Sequence, residues 1–213
     1  MARKLHDHYF KKAKQEGYFA RSVYKLEQIN KRFKVLRQGD ACLDLGSCPG
    51  SWVQYEREVV GERGIVAGVD IQPVKPSIRK IAFVLLKDIA ACTPEDFAPA
   101  AKAFDAVLSD MAPNTTGIRF ADQAMSLELC EIAFALAQKV LKPGGNMVLK
   151  IFESGEVKPF SLRIAPSFSE VAFYKPEATR EESYETYIVA RGFRIVKPKK
   201  DDAASQSGPT PNA

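Results

Sequence analysis

Four acids stand at or just beyond the ends of apolar runs in this chain: Asp44 in Cys42-Leu43-Asp44-Leu45, Asp70 after Ile65 to Val69, Asp88 beyond Phe83 to Leu86, and Asp110 beyond Phe104 to Leu108. A fifth run, Met147 to Phe152, carries Lys150 in its middle. Lysine is almost never fully buried without a partner, so Lys150 should face carboxylates, a cleft, or both. If these runs are strands of one open parallel sheet, their carboxyl ends share an edge, and ligands gather at that edge. Acids lined up there suit a cationic, hydroxyl-bearing ligand. An amine among them suits removal of a proton or stabilisation of a developing oxyanion. Lys25, in a basic helical segment, and Glu185, entering the last apolar run, join Asp110 and Lys150 as the residues of greatest chemical interest.

The first of these runs continues into Gly46-Ser47-Cys48-Pro49-Gly50-Ser51-Trp52 and then a helix-like segment to Val59. Strand, glycine turn and helix in that order form a loop whose backbone can approach a ligand closely. Only Gly46 and Gly50 are present, so the G-x-G-x-x-G spacing for a pyrophosphate is missing, and no Gly-Lys-Ser/Thr follows to make a P-loop. The remaining common ligand at such a turn is S-adenosylmethionine, which carries adenosine without phosphates. Taken alone, the spacing fits an ordinary strand–helix turn equally well.

The elements that must position these residues follow from periodicity. Ser22 to Phe33 reads as a helix with Ser22 near its cap and a stripe of Val23, Leu26, Ile29 and Phe33, bordered by Lys25. Ile71 to Ala82 holds Pro73 and Pro76 and is short for a crossover helix, so an irregular link is expected. Ala121 to Val140 is a long helix closed by Lys142-Pro143-Gly144-Gly145. A shorter helix is expected over Val157 to Ala165, and two final strands over Val171 to Tyr174 and Tyr187 to Ala190. The predicted organisation is a basic helical extension over 1–37, an α/β domain over 38–196, and a disordered tail over 197–213.

Composition is that of an ordinary globular chain of 213 residues. No apolar run is long enough to cross a bilayer and the first residues lack the apolar core of a signal peptide, which predicts a cytoplasmic protein without membrane partners. Cys42, Cys48, Cys92 and Cys130 show neither a Cys-x-x-Cys pair nor nearby histidines, so no metal site and no disulfide framework is expected. Residues 1–37 hold eleven Lys or Arg against three Asp or Glu, an excess of eight in a chain whose net charge is +5. Tyr9, Phe10, Tyr18, Phe19 and Tyr24 are interleaved with those cations, a mixture suited to a phosphate backbone with rings for stacking; a solvated basic face is the alternative.

Several ordered motifs together resemble the RrmJ/FtsJ family of ribose 2′-O-methyltransferases: Arg21-Ser22-Val23-Tyr24-Lys25-Leu26, Asp44-Leu45-Gly46 with Pro49-Gly50-Ser51-Trp52, Ser109-Asp110-Met111-Ala112-Pro113-Asn114 with Gly117, Leu149-Lys150-Ile151-Phe152, and Lys175-Pro176-Glu177-Ala178-Thr179-Arg180 through Ser183 and Glu185. The resemblance covers nearly the whole chain except the tail. It implies a Rossmann-like S-adenosylmethionine-dependent methyltransferase fold, with a mostly parallel seven-stranded sheet, an antiparallel last strand and helices on both faces. It also implies a tetrad of Lys25, Asp110, Lys150 and Glu185, and an S-adenosyl-L-methionine site formed by Gly46, Gly50, Trp52, Asp70, Asp88 and Asp110. Within the family, the match is to enzymes that methylate a uridine ribose in large-subunit ribosomal RNA, so the expected partner is that RNA within the large ribosomal subunit, bound by a monomer. Ser47-Cys48 stand where the family usually has alanines, and Ser51 replaces a second glycine.

Asp70 is placed to accept the ribose hydroxyls of the cofactor, Asp88 to meet the adenine, and Trp52 to pack beside the methionine end. Competing readings are a ribose methyltransferase for transfer or messenger RNA, an inactive RNA-binding assembly factor that retains only the fold, and a nicotinamide-dependent oxidoreductase. The intact tetrad residues speak against the second and the missing glycine against the third.

Overall fold

The computed structural model describes residues 2–195; the tail expected from residue 197 lies outside the described residues. Seven strands form one sheet in the order β3-β2-β1-β4-β5-β7-β6. They are β1 (Ala41–Leu45), β2 (Ile65–Asp70), β3 (Phe83–Leu86), β4 (Phe104–Ser109), β5 (Leu141–Phe152), β6 (Glu170–Tyr174) and β7 (Glu185–Arg191). The β1, β2, β3, β4 and β5 ladders are parallel, and β7 runs antiparallel between β5 and β6. Chain order reverses between β1 and β4, and in open α/β sheets ligands bind at the carboxyl ends of the strands beside such a switch. Asp44, Asp70 and Asp110 all belong to this carboxyl edge.

The helices are α1 (Ala2–Glu16), α2 (Val23–Phe33), α3 (Ser51–Val60), α4 (Pro94–Phe97), α5 (Arg119–Val140) and α6 (Val157–Ile164). Alternation along β1 sends Leu43 and Leu45 to the face covered by α5 and α6, and Cys42 to the face covered by α2 and α3. Leu26 and Ile29 of α2 are fully buried in that second core, each contributing about 1.5–3 kcal/mol by area. Lys25 is carried on the same helix, so its position is tied to the core and not to a loose extension. No helix among the described residues is long and apolar enough to cross a membrane.

Three local expectations are corrected. Strand β5 begins at Leu141, so Lys142-Pro143-Gly144-Gly145 is a bulge inside a strand and not only a helix stop; pairing jumps from Phe104–Leu141 to Ala106–Asn146 across it. Ser22 occupies the cap position of α2 without capping it, because its hydroxyl lies 3.0 Å from that of Ser51 at the start of α3. The basic segment's rings are mostly inside: Tyr24 is buried, packs against Tyr9 and Tyr18 and donates to Glu16, which joins α2 to α1 and leaves Phe10 as the openly exposed ring.

Candidate active site

Lys25, Asp110, Lys150 and Glu185, scattered over most of the sequence, meet at the carboxyl edge of the sheet. Lys150 Nζ lies 3.1 Å from Asp110 Oδ1 and also donates to the Asp110 carbonyl. Lys25 Nζ is paired with Glu185 Oε1. All four side chains are largely buried, at 7–17% exposure, so both pairs act with little solvent screening. The antiparallel ladder explains the meeting: Lys150 lies opposite Tyr187 and Phe152 opposite Glu185. Glu185 and Tyr187 are two apart, hence on one face with Lys150.

Tyr187 is a member of this group that sequence reasoning missed. Its hydroxyl donates to Asp110 Oδ1 at 2.7 Å, the oxygen that Lys150 also contacts. The available signal was its period-two spacing from Glu185, but a tyrosine in Tyr187-Ile188-Val189-Ala190 reads as core until the register is known. Burial acts to raise the Asp110 pKa, yet the charges of Lys150 and Lys25 and the Tyr187 hydrogen bond outweigh it, and the carboxyl titrates below its ordinary value. Burial first, then Asp110 and Glu185, push the Tyr187 phenol well above its usual value, so it remains a hydrogen-bond donor.

The glycine loop stands on the same edge. Gly46 has φ +88, and a Cβ there would sit 2.7 Å from Met111 Cγ, so the loops after β1 and β4 are in van der Waals contact. Gly50 has φ +109, and a Cβ would lie 2.5 Å from Ile78 Cγ1. Gly50→Ala is therefore expected to lose about 1–3 kcal/mol in urea unfolding, more than Gly144→Ala, where φ is +82 but nothing lies within 4 Å; equal losses would show that crowding at Gly50 is absent. Asp70 shapes the loop, accepting from Cys48 N at 2.8 Å and Gln72 N at 2.7 Å. Asp88 accepts from Ala90 N and caps a single turn over residues 89–91. The Trp52 indole is 3% exposed, donates to the Ser22 carbonyl at 3.0 Å and stacks on Tyr187, so it buttresses Tyr187 from within the core.

Asp44 tests whether the edge fits a cationic group. It is fully buried, neither carboxyl oxygen has a hydrogen-bond partner among the described residues, and Asp70 and Asp110 are its charged neighbours. An orphaned acid flanked by acids fits a ligand that brings positive charge, as the sulfonium and amino groups of S-adenosylmethionine do. A larger cavity of about 530 Å³, lined by Val157, Leu162, Val171 and Phe173, lies between α6 and β6. It contains none of these acids and amines that converge on the carboxyl edge, so size alone does not mark the site.

Comparison with known proteins is decisive at this point: the family model for FtsJ-like methyltransferases matches residues 18–193. The chain belongs to the FtsJ-like methyltransferase family. Among its relatives, the ribosomal RNA large subunit methyltransferase E of Bdellovibrio bacteriovorus is 44% identical over 86% of this chain and 94% of its own length. The protein of the same name from Syntrophobacter fumaroxidans is 43% identical over 92% of this chain and 100% of its own length. Among solved structures, fibrillarin of Aeropyrum pernix, with natively bound S-adenosyl-L-methionine, matches 79% of this chain and 76% of its own at 19% identity and a TM-score of 0.52, which is a likeness of fold. The FtsJ-like methyltransferase described here thus has the anticipated sheet, and its matched span includes every residue anticipated for the site.

Proposed function

We propose that this FtsJ-like methyltransferase transfers a methyl group from S-adenosylmethionine to a ribose 2′-hydroxyl, that of a uridine, in large-subunit ribosomal RNA, acting in the cytoplasm as a monomer. The observation that carries the reading is the convergence of Lys25, Asp110, Lys150 and Glu185 beside the glycine loop. Gly46, Gly50, Asp70, Asp88 and Asp110 are the residues that would hold the cofactor, with Asp44 as counter-charge and Trp52 behind them. The cofactor supplies an electrophilic methyl, so the protein's task is orientation of the nucleophilic oxygen and control of its proton.

Lys150 is suited to that task. An ammonium has three N–H groups, and two are engaged by Asp110, which leaves one for the ribose oxygen. In this reading Lys150 fixes the hydroxyl and stabilises the charge that grows on its oxygen as the O–H bond breaks and the proton leaves to water, while Asp110 and Tyr187 fix Lys150. The Lys25–Glu185 pair supplies a second positive charge near Asp110 and walls the site on the α2 side.

Beside Lys25 and Glu185 lies a hollow of about 370 Å³ lined by Arg21, Ser22, Arg180 and Ser183. Burial, and then the nearby Arg180, lower the Arg21 pKa, against the opposing pull of Glu185 and Glu182. A phosphate next to the target ribose would relieve the repulsion between the two guanidiniums. Arg21→Ala with Arg180→Ala should weaken RNA binding about tenfold or more and reduce its salt slope by about two, with cofactor affinity unchanged; an unaltered slope would remove this hollow from the RNA path. The reading as a whole is tested by transfer of labelled methyl from S-adenosylmethionine to purified ribosomal RNA and to large subunits, with mapping of the modified ribose. Label on a 2′-oxygen is expected, and label on a base or on protein would overturn it.

A further inference from the structure

Under the glycine loop is a second set of acids that the tetrad does not use. Cys42 and Asp44 share the face of β1 that meets α3, where Trp52, Val53, Glu56 and Val60 are buried. Asp44 and Glu56 are both 0% exposed. Among the described residues, both oxygens of Asp44 and Oε1 of Glu56 lack hydrogen-bond partners, and Oε2 of Glu56 accepts only the weak S–H of Cys42 at 3.7 Å. Among the described residues no ion pair reaches either acid.

The surroundings offer no compensation. On β1 the neighbour is the Cys42 thiol, on β2 it is Asp70, and on β4 it is Asp110, whose charge is already met by Lys150. Arg57, the basic residue next to Glu56 on α3, directs its guanidinium to the carbonyls of Gly61, Gly64 and Ile81. Two bare carboxylates in such a place would each carry a large desolvation cost, and protonation removes it. Burial, then Asp110 and Asp70, push the Asp44 pKa well above its ordinary value; burial, then Asp44, do the same for Glu56.

We propose that Asp44 is protonated in the cofactor-free protein and releases that proton to solvent when the cationic cofactor binds, while Glu56 stays neutral beneath it; the inference rests on reading the loop as the S-adenosylmethionine site. Only the O–H bond of Asp44 breaks, and the carboxylate left behind faces the charge that the ligand brings. Two groups of the same chemistry thus behave differently: Asp44 adjoins the acids of the crevice, whereas Glu56 is one layer deeper, against Cys42. Because a proton leaves on binding, affinity rises with pH, by up to about tenfold per pH unit while the free protein is protonated and the complex is not.

The test is calorimetric titration of the full chain with S-adenosylmethionine at pH 7 in phosphate and in Tris, whose different ionisation enthalpies report the protons released per ligand bound. About one proton is expected for the parent protein, none for Asp44→Asn, and about one again for Glu56→Gln, which keeps the shape and neutrality of the deeper group. Binding without release in the parent overturns the inference, as does undiminished release from Asp44→Asn. Loss of release in Glu56→Gln would overturn the assignment of the proton to Asp44. Absence of any binding heat in the parent is a different outcome, and it would sink the cofactor reading itself.

Discussion

Lys150→Ala is expected to lower the rate of methyl transfer by about a thousandfold or more, with S-adenosylmethionine binding retained. The size follows from the loss of a positioned proton-handling and charge-stabilising group, which typically contributes about 10²–10⁴ in rate. Lys150 is 8% exposed, and among the described residues no other amine bonds to Asp110, since Lys25 is taken by Glu185. Folding should survive, because Asp110 keeps the Tyr187 hydroxyl and the nearby Lys25 charge, and Lys150→Met fills the same volume without an amine. Lys150→Arg is not expected to rescue, since a planar guanidinium does not replace a compact ammonium in a site this closed. Single-turnover transfer measured beside cofactor titration separates the two effects; full activity in Lys150→Ala would reject the assignment.

The second large effect concerns stability and has the sign opposite to that of an ordinary carboxylate. Burial, then Asp44, raise the folded-state pKa of Glu56, so its contribution is fully present below the unfolded value and is lost as pH rises towards the folded one. The slope is about 1.4 kcal/mol per pH unit above an unfolded pKa of about 4.3. Glu56→Gln removes that slope, so the variant should match the parent near pH 4 and exceed it by a margin that grows as pH rises above the unfolded value, in urea unfolding without cofactor. A pH-independent difference would mean that Glu56 is ionised in the fold. Asp110 behaves the other way: its folded pKa is depressed, and the stability it contributes is present above its unfolded value and lost on acidification.

The contrast between these two acids shows where reading a sequence stops. Asp110 follows an apolar run and precedes a turn, so its place at a strand end is visible in one dimension. Glu56 sits within Gln54-Tyr55-Glu56-Arg57-Glu58, which reads as the charged side of a helix. It is buried because Trp52 and Val53, in the first turn of α3, face inward, and helical geometry then turns position 56 inward too. Tyr24 was misplaced for the related reason that aromatic rings among lysines look exposed until a second helix covers them.

By itself the sequence determined the strands, the glycine turn and the long α5, because period and turn chemistry are local properties. Only the tertiary structure decided that β7 inserts between β5 and β6, which brings Tyr187 opposite Lys150 and sets Glu185 against Lys25. It also decided that Asp44 and Glu56 are fully buried, with no ion pair to either among the described residues. Strand pairing and burial are relations between segments far apart in the chain, and no window of neighbouring residues contains them.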